Sequence, residues 1–592
     1  MIVKMKKLTL ICTAKEQDRT LEALRDLKAV HVEHLESPSG LEVDEAKQVL
    51  QQVKKVHENL AEPSHEVCPA TEPSDTLIND IHALLKERDE LHEQQSSLLT
   101  EQNQLSPYGD FDPKSLEKLN QQGVCAKLIQ FGLKEDITWP ENTYIKEISR
   151  DKSSRYALAL SRHEVELPCY EMALPTKSMC DIEEELEAIQ SKLIEIEAEM
   201  QALSGYRSTV EEHLNQANDD LVYQEVKTGM VATDNLVYLA GYIPVDQVEA
   251  LKSNAAIHGW GYVLREINNE DQPPTLLRNP KWVDPIKAVL QVIGVVPGYK
   301  ELDVSMVFLL FLNIFFAILI GDAGYGLLFI ALTFLAQRKN KKAPSYVFNL
   351  LYMMSSCTVV WGVLTGTYFG INFDALPVSL QQVSNEWLRG YGDDALAMNN
   401  IMFFCFVLGT IHLVIGHVWN VIRKINSWAA LSDIGWIGST LTMFYAVRMM
   451  VLGESFPPIM LYSLVGGLVL IVVSLVMEKA YFGLVTLALD VISNFVDIIS
   501  YVRLYAVGAA SFAIANAFNE MAISSLGSNG PWIGGLIAAL TLFGGHTLNI
   551  LLCAMGILVH GIRLNTLEFS SHAGVQWGGL HYKPFKRTEE HI

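Results

Sequence analysis

The sequence lacks the features that mark a disulfide-stapled, a zinc-binding or an ATP-hydrolysing protein. It has 8 cysteines in 592 residues and no C-x-x-C pair, so neither a disulfide framework nor a zinc site is predicted. No G-x-x-x-x-G-K-[ST] loop occurs, which indicates that the chain does not hydrolyse ATP itself. Positive charge is also scarce, because 45 Lys and Arg residues oppose 67 Asp and Glu residues, giving a formal charge of -22. A nucleic-acid binder driven by net positive charge is therefore excluded.

The charges that are present lie mostly in the first half of the chain. Residues 1–300 carry 31 basic and 51 acidic side chains, whereas residues 301–592 carry 14 basic and 16 acidic ones. The two net charges are thus -20 and -2, and the second half contains long apolar runs. A single globular domain is excluded by so uneven a composition. The distribution predicts an acidic, water-soluble half joined to a membrane half.

The first half, residues 1–285, is predicted to be an α+β cytoplasmic domain in which two small α/β lobes are joined by a long antiparallel coiled coil. Residues 1–70 and 225–270 form the near lobe in this prediction, and residues 107–178 form the far lobe. The apolar run after the first lysines is too short for a signal peptide and is interpreted as a first strand, residues 5–12. The N-terminus is therefore expected to stay in the cytoplasm.

Two segments with heptad spacing, residues 75–105 and 181–223, predict the coiled-coil arm. Leucines recur every seven residues in the first segment, and apolar residues alternate in steps of four and three in the second. Such stripes have to be buried against a partner helix. A dimerising, DNA-binding zipper is disfavoured because no basic region precedes either segment. An arm with a lobe at each end is typical of a strut or tether.

The second half is predicted to be an all-α membrane domain, residues 301–592. A proline-rich stretch at residues 271–285 ends the cytoplasmic domain, and residues 286–300 form a linker. About 20 helical residues cross a bilayer, and the apolar stretches predict about eight transmembrane helices, the last two long and tilted. These stretches lie at about 302–320, 323–338, 345–369, 400–422, 433–452, 459–477, 486–523 and 533–568. Basic loops alternate with acidic or neutral ones, so the positive-inside rule places both termini in the cytoplasm.

Four charged residues lie deep in the last two apolar stretches: Asp490, Asp497, Arg503 and Arg563. A charge at the centre of a bilayer costs about 2.5–3.5 kcal/mol on insertion scales, so each of them needs a partner or water. Arg503 has no acid three or four residues away, which disfavours an ion pair within its own helix and leaves an interhelical pair open. For Arg563 an alternative is that the side chain reaches toward the inner membrane interface.

An aqueous vestibule is predicted along the seventh apolar stretch. At 100° per residue, Asp490 and Asp497 lie within about 20° of each other and about 120–140° around the helix from Arg503. Ser493 and Asn494 lie beside the two acids. This polar stripe is expected to face water on the cytoplasmic side and to stop at the arginine.

The remaining polar residues of the apolar stretches have simpler interpretations. Asn549, His560 and Arg563 are predicted to share one face of the eighth stretch within about 60°. His412 and His417 are interpreted as packing or hydrogen-bonding groups. Asp322 is interpreted as a cap of the tight turn in GDAGYG. Tyr501 and Tyr505 are interpreted as packing residues.

The sequence resembles the a/I subunits of V-type and A-type rotary ATPases, the membrane stators of those ion pumps. The resemblance covers nearly the whole chain, and its length suits a prokaryotic member in a bacterial or archaeal plasma membrane. The segments that carry it, in the order and spacing of the family, are GYIP, PPTLLRNP, GDAGYG, LTGTYFG, ISNFVDIISYVRL, HGIRLNTLEF and GLHYKPF.

This resemblance implies a non-catalytic subunit that couples proton or sodium translocation to ATP hydrolysis or synthesis. A ring of proteolipid c/K subunits would turn against the last two helices, with one ion-binding carboxylate on each ring subunit. Arg503 matches the essential arginine of the family, and Arg563 matches a second, supporting one. The Arg503 guanidinium would favour the ionised ring carboxylate and bar ions from leaking between two half-channels.

The resemblance also implies partners and further channel residues. The arm would bind peripheral-stalk subunits. The other implied partners are a central-stalk socket subunit, the lipid bilayer and the translocated ion. No cofactor, metal or nucleic acid is expected. His560 lies one turn before the second arginine. Some relatives carry an acid where this chain has Cys553, so the outer half-channel would rely on Asn549 and His546. Eukaryotic members have histidine at the position of Ser511.

Two other classes of function stay open from the residues alone. An ion-coupled secondary transporter would use its own intramembrane charged site, although no internal repeat of the kind that such proteins show occurs here. A structural membrane tether would make the buried charges incidental.

Overall fold

The computed structural model describes residues 1–62, 75–133, 137–140, 142–163, 165–233, 235–341, 343–389, 395–528 and 531–588. The end of the predicted near lobe, up to residue 70, and part of a predicted outer loop, residues 390–394, lie outside these ranges. The chain divides into two units. The helical unit comprises Met1–Lys7, Tyr242–Val248 and Leu264–Lys583, and the mixed unit comprises Leu8–Gly241, Glu249–Val263 and Pro584–Ile592.

The N-terminal part of the chain alternates helices and strands. Its helices are α1 (Gln17–Leu27), α2 (Leu41–Asn59), α3 (Asp75–Leu105), α4 (Pro113–Gln121), α5 (Met179–Leu203), α6 (Arg207–Thr228) and α7 (Val248–His258). Its strands are β1 (Met5–Thr13), β2 (His31–Glu33), β3 (Cys125–Gly132), β4 (Thr143–Arg150), β5 (Ser154–Ser161), β6 (Tyr170–Met172), β7 (Val231–Thr233), β8 (Leu236–Pro244) and β9 (Gly261–Arg265). The mixed α/β character predicted for this part is confirmed.

The strands form two sheets. The first has the order β2–β8–β1–β9, with β7 paired to β8, and the second has the order β4–β5–β3–β6. Along β1 the side chains of Leu8, Leu10 and Cys12 are buried at alternate positions, as expected for a half-buried strand. Strands β3 and β5 are antiparallel, with Cys125 opposite Ser161 and Gly132 opposite Ser154.

The heptad segments become paired helices. Helix α3 packs against α5, and α2 packs against α6. A capping box formed by Ser178 and Asp181 fixes the start of α5. The apolar residues of these helices share one buried cluster that includes Val53, Ile81, Leu85, Leu91, Leu98, Ile182, Ile189, Leu193, Ile196 and Val210. The pairing buries both stripes, while supercoiling of the pair remains a prediction.

The helical unit contains, after β9, twelve α-helices within the described residues, most of them long and apolar. They are α8 (Ile286–Ile293), α9 (Ser305–Ile320), α10 (Ala323–Lys339), α11 (Ser345–Thr365), α12 (Val378–Val383), α13 (Ala395–Arg423), α14 (Ala429–Leu452), α15 (Ile459–Met477), α16 (Phe482–Ile499), α17 (Val502–Ser528), α18 (Pro531–Gly556) and α19 (Ser570–Ala573). Within the described residues, six helical segments are long and apolar enough to cross a membrane: Ser345–Thr365, Leu396–Arg423, Ala429–Leu452, Ile459–Met477, Phe482–Gly527 and Trp532–Ala573. The all-helical membrane half is thus confirmed, and the count of eight spans remains a prediction.

The turn between α9 and α10 explains why the first two predicted spans are the least certain. Helix α9 is apolar but has only 16 residues, short of the roughly 20 that a straight span needs. It ends at Gly321 in the left-handed conformation, and the Asp322 side chain then accepts hydrogen bonds from the N–H groups of Gly324 and Tyr325. Asp322 therefore caps α10 and closes a two-residue turn, as its sequence context predicts.

The last two predicted segments are not continuous α-helices. The seventh is divided into α16 and α17 at Ser500 and Tyr501, and the eighth passes from α18 through two π-helical turns, Ile557–Gly561 and Leu564–Phe569, into α19. Angles counted at 100° per residue across these breaks therefore do not hold. Both irregular stretches lie next to an arginine that the sequence singles out.

Candidate functional site

The backbone changes its hydrogen-bond pattern immediately before Arg503. The N–H of Ser500 donates to the carbonyl of Val496, four residues back, at 3.0 Å. Three later N–H groups instead donate to carbonyls three residues back: Tyr501 to Ile498, Arg503 to Ser500 and Leu504 to Tyr501. Such a tight turn inside a helix often marks a hinge or a functional position. Here it turns the start of α17 and sets the direction of the arginine side chain.

Arg503 is held by two acceptors. Its Nε donates to the backbone oxygen of Ser500 at 3.0 Å, and its Nη2 donates to Oε1 of Glu568 at 2.8 Å. The arginine side chain is 25% exposed, whereas that of Glu568 is 5% exposed. The pair is interhelical, which is the arrangement that the spacing of acids in the sequence left open.

The same carboxylate also contacts the second arginine. Arg563 Nε lies 3.4 Å from Glu568 Oε1, and the Arg563 side chain is 52% exposed. Arg503 and Arg563 thus share one carboxylate. Two guanidinium charges against one carboxylate leave this cluster with a net charge of +1, so it can accept a further carboxylate without excess negative charge.

The π-helical turns account for the contact between Arg563 and Glu568. Residues five apart lie about 140° around an α-helix, on different faces. The turn Leu564–Phe569 has i→i+5 hydrogen bonding, which brings residues five apart onto one side. Sequence reasoning missed Glu568, although it is the only Asp or Glu between residues 531 and 573. A single acidic residue in so long an apolar stretch is the sequence feature that could have identified Glu568 as functional.

The π-turns also separate the residues predicted to share a face on the eighth segment. Asn549 is completely buried, whereas Arg563 is half exposed and His560 is intermediate. The shared face assumed one uninterrupted α-helix, and that assumption is wrong because the turn Ile557–Gly561 intervenes. Within the part of the chain that the structure describes, the buried Nδ1 of His560 has no hydrogen-bond partner.

Asp497 lies at one end of a chain of side-chain hydrogen bonds. Its Oδ2 is 3.0 Å from Nε2 of His572, on α19, and Nδ1 of His572 is 2.8 Å from Nε2 of His417, on α13. Nδ1 of His417 is 3.2 Å from Oδ1 of Asp433, on α14. Lys424 Nζ lies 3.1 Å from the other oxygen, Oδ2, of Asp433. His417 is therefore a hydrogen-bonding group, and the relay it belongs to connects four helices, α16, α19, α13 and α14.

The other predicted residues of the seventh segment do not form one continuous stripe. Asp490 and Ser493 are exposed, and Asp490 accepts a hydrogen bond from the Thr486 hydroxyl at 3.0 Å. Asn494 is buried, and its amide donates to the Thr440 hydroxyl of α14 at 3.0 Å. Asn494 therefore ties α16 to α14 and does not line the exposed face beside the aspartates.

A second polar network surrounds Asn549 and His546. The Asn549 amide donates to the backbone oxygen of Ser511 at 3.0 Å and to the hydroxyl of Tyr325 at 3.1 Å. That hydroxyl lies 2.6 Å from Nδ1 of His546, whose Nε2 lies 3.2 Å from Oδ1 of Asn519. Tyr325 belongs to the GDAGYG segment, and sequence reasoning gave it no role. The network follows α17 away from Arg503.

Two positions where the sequence departs from some relatives lie in contact. The Cys553 thiol is 3.2 Å from the Ser511 hydroxyl. Both residues are buried beside Asn549. Cys553 and Ser511, at which the resemblance implies differences from some relatives, therefore lie at one place in the structure.

A packed aromatic group supports the backbone on both sides of the arginine cluster. The His412 ring stacks between Phe311, at a centroid distance of 4.0 Å, and Phe569, at 4.3 Å. Its Nδ1 lies 2.8 Å from the hydroxyl of Tyr501. Tyr501 precedes Arg503 by two residues, and Phe569 follows Glu568. The packing roles that the sequence suggests for His412 and Tyr501 are those that the structure shows.

The described residues contain no group of three or more His, Cys, Asp or Glu side chains arranged to hold a metal ion. What the site offers is a partly exposed guanidinium, a buried shared carboxylate and two hydrogen-bonded networks. These groups can attract an anion and hold or pass protons.

Comparison with known proteins identifies full-length relatives. The chain is 29% identical over 631 aligned residues to the V-type ATP synthase subunit I 1 of Treponema pallidum, covering 99% of this chain and 100% of that protein. It is 27% identical over 625 aligned residues to the V-type ATP synthase subunit I of Borreliella burgdorferi, covering 100% of both. The A-type ATP synthase subunit I of Methanocaldococcus jannaschii is 27% identical, over 70% of this chain and 65% of that protein.

Two other comparisons add little. No protein-family model matches the chain. A solved cytoplasmic N-terminal domain of subunit I, a homologue of subunit a of V-ATPase, aligns over 44% of this chain at 13% identity with a TM-score of 0.22, which carries no argument about the fold. Over its full length the chain is therefore similar to bacterial proteins named V-type ATP synthase subunit I, and over 70% of its length to an archaeal A-type ATP synthase subunit I.

Proposed function

We propose that this multi-pass membrane protein is the non-catalytic stator subunit of a V/A-type rotary ATPase. In this proposal a ring of proteolipid subunits turns against α17 and α18, and the passage of ions is coupled to ATP hydrolysis or synthesis. The observation that carries it is the charge balance at Arg503, where two arginines share the single carboxylate of Glu568. A carboxylate on the ring is the partner that this cluster can still accept.

The surface of α17 next to Arg503 suits a closely packed helix. Ala506, Ala510, Ala513 and Ala517 are exposed at steps of four, three and four, so they lie on one face within about 60°. Arg503 lies within about 60° of the same face, one turn earlier. Small residues allow helix backbones to approach closely in a membrane. A ring helix that packs on these alanines brings its carboxylate within reach of the guanidinium.

The two polar networks support two half-channels that end at the arginine. Asp497 precedes Arg503 by six residues, whereas Ser511 and Asn519 follow it by 8 and 16 residues, about 12 Å and 24 Å along the helix. Polar groups thus lead toward Arg503 from opposite ends. Its fixed positive charge opposes the direct passage of a cation from one network to the other.

The chemistry at the arginine follows from electrostatics. A guanidinium close to a carboxyl group favours the ionised form of that group. A ring carboxyl that arrives beside Arg503 therefore releases its bound ion into one network, and it binds another ion from the second network after it has moved on. When the ring site leaves, Glu568 takes over the guanidinium again.

The mixed unit is proposed to anchor the peripheral stalks, with the central-stalk socket subunit as a further partner. The paired helices α3 and α5 bury an apolar stripe over most of their length, which makes them suitable as a strut. The acidic composition of residues 1–300 favours basic partner surfaces. Both termini lie in the cytoplasm in this proposal, and the bilayer is the plasma membrane.

Photo-crosslinking tests which helix faces the ring. A diazirine-bearing amino acid at Ala510, in the assembled complex, is expected to crosslink to a proteolipid subunit. The matched control is the same amino acid at Leu461, which is also exposed but lies on α15. Crosslinking of the ring from position 461 and not from position 510 would refute the proposed orientation.

A further inference from the structure

We propose that His417 and His572 form a proton relay between Asp433 and Asp497, so that the ion carried on this side of Arg503 is a proton and not a sodium ion. The proposal rests on the stator function and specifies its substrate. It assigns a transfer role to His417, which the sequence suggests only as a packing or hydrogen-bonding group, and to His572, to which the sequence analysis gave no role. Three consecutive hydrogen bonds, of 3.0, 2.8 and 3.2 Å, define the relay.

The number of hydrogen atoms in the relay indicates an excess proton. Each of the three hydrogen bonds needs one hydrogen, and ionised carboxylates supply none. A neutral imidazole carries one N–H, so the two neutral rings supply two hydrogens. The third hydrogen is one excess proton, shared along the chain from Asp433 to Asp497. The geometry is therefore that of a relay loaded with one proton.

The charges around the relay favour the same state. Asp433 and Asp497 contribute two negative charges, and Lys424, at 3.1 Å from Asp433, contributes one positive charge. The excess proton brings this group to neutrality. The side chains of His417, His572 and Asp433 are each less than 10% exposed, and an unbalanced charge in such a place is costly.

The spacing of the rings excludes a sodium ion between them. The two imidazole nitrogens are 2.8 Å apart, in direct hydrogen-bond contact, which leaves no room for an ion or a water molecule. Hard cations are bound by several oxygen ligands, and the link between His417 and His572 consists of nitrogen alone. A proton can cross it because each ring accepts at one nitrogen and donates from the other.

The relay has access at both ends. A cavity of about 290 Å³ is lined by His417, His572, Asp433, Lys424 and Glu478, among others. At the other end Asp497 is 22% exposed and precedes Arg503 by six residues. A proton that binds His417 Nδ1 displaces the Nε2 hydrogen to His572 Nδ1, and the Nε2 hydrogen of His572 passes to Asp497. Reorientation of the two rings then restores the starting state.

Glutamine variants test the relay in reconstituted, assembled complex in sodium-free buffer. His417→Gln and His572→Gln keep a donor and an acceptor but cannot exchange a proton through the side chain. We expect each to lower ATP-driven proton uptake at least tenfold. The control Ser463→Ala removes a hydroxyl of α15 that does not line the cavity and is expected to retain the wild-type rate. Added imidazole should partly restore transport in His417→Ala, which a purely structural role does not predict.

The wild-type complex provides a test that does not depend on how the variants fold. Proton uptake without sodium supports the proposal, and a sodium requirement or ATP-driven ²²Na⁺ uptake overturns it. Wild-type rates in both glutamine variants also overturn it. Transport that persists in Arg503→Ala would refute the stator function itself. If transport is lost in Arg503→Ala but the two glutamine variants transport at the wild-type rate, only the relay is refuted.

Discussion

At the residue scale, Glu568 connects two arginines that are 60 residues apart in the sequence. It lies 2.8 Å from the Arg503 guanidinium and 3.4 Å from that of Arg563, and it is almost fully buried. In the proposed function, a ring carboxylate that binds Arg503 has to compete with this resident anion. We expect this competition to keep the attraction between stator and ring from becoming so strong that rotation stalls.

Replacing Glu568 tests this competition. In Glu568→Gln the ring carboxylate meets Arg503 without a rival, so it is held longer. ATP-driven ion transport per assembled complex should fall about tenfold, equivalent to about 1.4 kcal/mol in the barrier. The control Glu454→Gln removes the carboxylate of another arginine pair, with Arg448, and should transport normally. An unchanged rate in Glu568→Gln would show that Glu568 does not compete for Arg503.

The residues that sequence reasoning found at this scale are charges in apolar surroundings. Arg503, Arg563 and Asp497 stand out because a charge in a membrane needs a reason. Their partners could not be assigned, since Glu568 and His572 reach them only through packing between elements far apart in the chain. The hydrogen-bonding role predicted for His417 is confirmed, but its partners could not be assigned because a lone histidine on a helix does not reveal its contacts.

At the element scale, the two irregular stretches decide the geometry of the site. The tight turn at Ser500 and Tyr501 separates α16 from α17, and the π-turns place Arg563 beside Glu568. Apolar runs in the sequence locate the helical segments well, but a run does not show where hydrogen bonding changes from i→i−4 to another pattern. Asn549 accordingly points into neighbouring helices, where a uniform helix would place it on the face of His560 and Arg563. Asn494 lies within the unbroken α16 and is buried because α14 packs against it.

The position of the tight turn depends on a glycine in α13. A Cβ at Gly409 would lie 2.4 Å from the Tyr501 ring, so the ring has to move in Gly409→Ala. Overpacking of this kind costs about 1–3 kcal/mol. The variant should lower the thermal stability of the purified complex and reduce transport, because Tyr501 precedes Arg503 by two residues.

Gly466→Ala is the matched control for this substitution. It also lies in an apolar helix, but no atom is within 4 Å of an added Cβ. Alanine is favoured over glycine by about 0.5–1 kcal/mol inside a helix, so stability should be unchanged or slightly higher. Equal losses in both variants would mean that the contact with Tyr501 is not what matters.

At the scale of the whole molecule, the uneven distribution of the net charge of -22 reflects two different environments. The acidic residues of the first 300 positions lie in a part built from helices and sheets, whereas the second half holds few charges and pairs several of them inside the helical unit. This division could be predicted from composition because water and lipid impose different compositions. The order of the sequence motifs predicted a resemblance to V/A-type ATPase subunit I, and the full-length relatives, which bear the name V-type ATP synthase subunit I, confirm that resemblance.

Acid should weaken the packing of β1 and β9 through Asp271. Its carboxylate binds Arg265 at 2.7 and 2.8 Å and Lys7 at 3.1 Å. The Arg265 guanidinium, with the Asn268 N–H and Lys7, holds the pKa of this carboxyl well below its ordinary value. A lowered pKa stabilises the folded state above the unfolded pKa of about 3.9, and this contribution is lost as the pH falls through the folded value.

Hydrogen exchange of the β1 and β9 amides in the full-length chain measures the contribution of Asp271. At pH 7 Asp271→Asn should cost about 1–3 kcal/mol of protection, and the difference from wild type should shrink as the pH falls below 4. The control Asp246→Asn breaks a pair with Arg278 in which both side chains are about half exposed, and it should cost less than about 1 kcal/mol. A difference that does not depend on pH would contradict the assignment.

The central claim is that Arg503 couples ring rotation to ion transport. The most direct measurement is ATP-driven ion uptake by proteoliposomes that contain the assembled Arg503→Ala complex. The control is Arg448→Ala, which removes a different arginine from the membrane half. The account predicts that Arg503→Ala complexes assemble but transport no ions, while Arg448→Ala complexes still transport. Uptake near the wild-type rate in Arg503→Ala would contradict the account, and ion-coupled flux by the isolated chain would favour a secondary transporter instead.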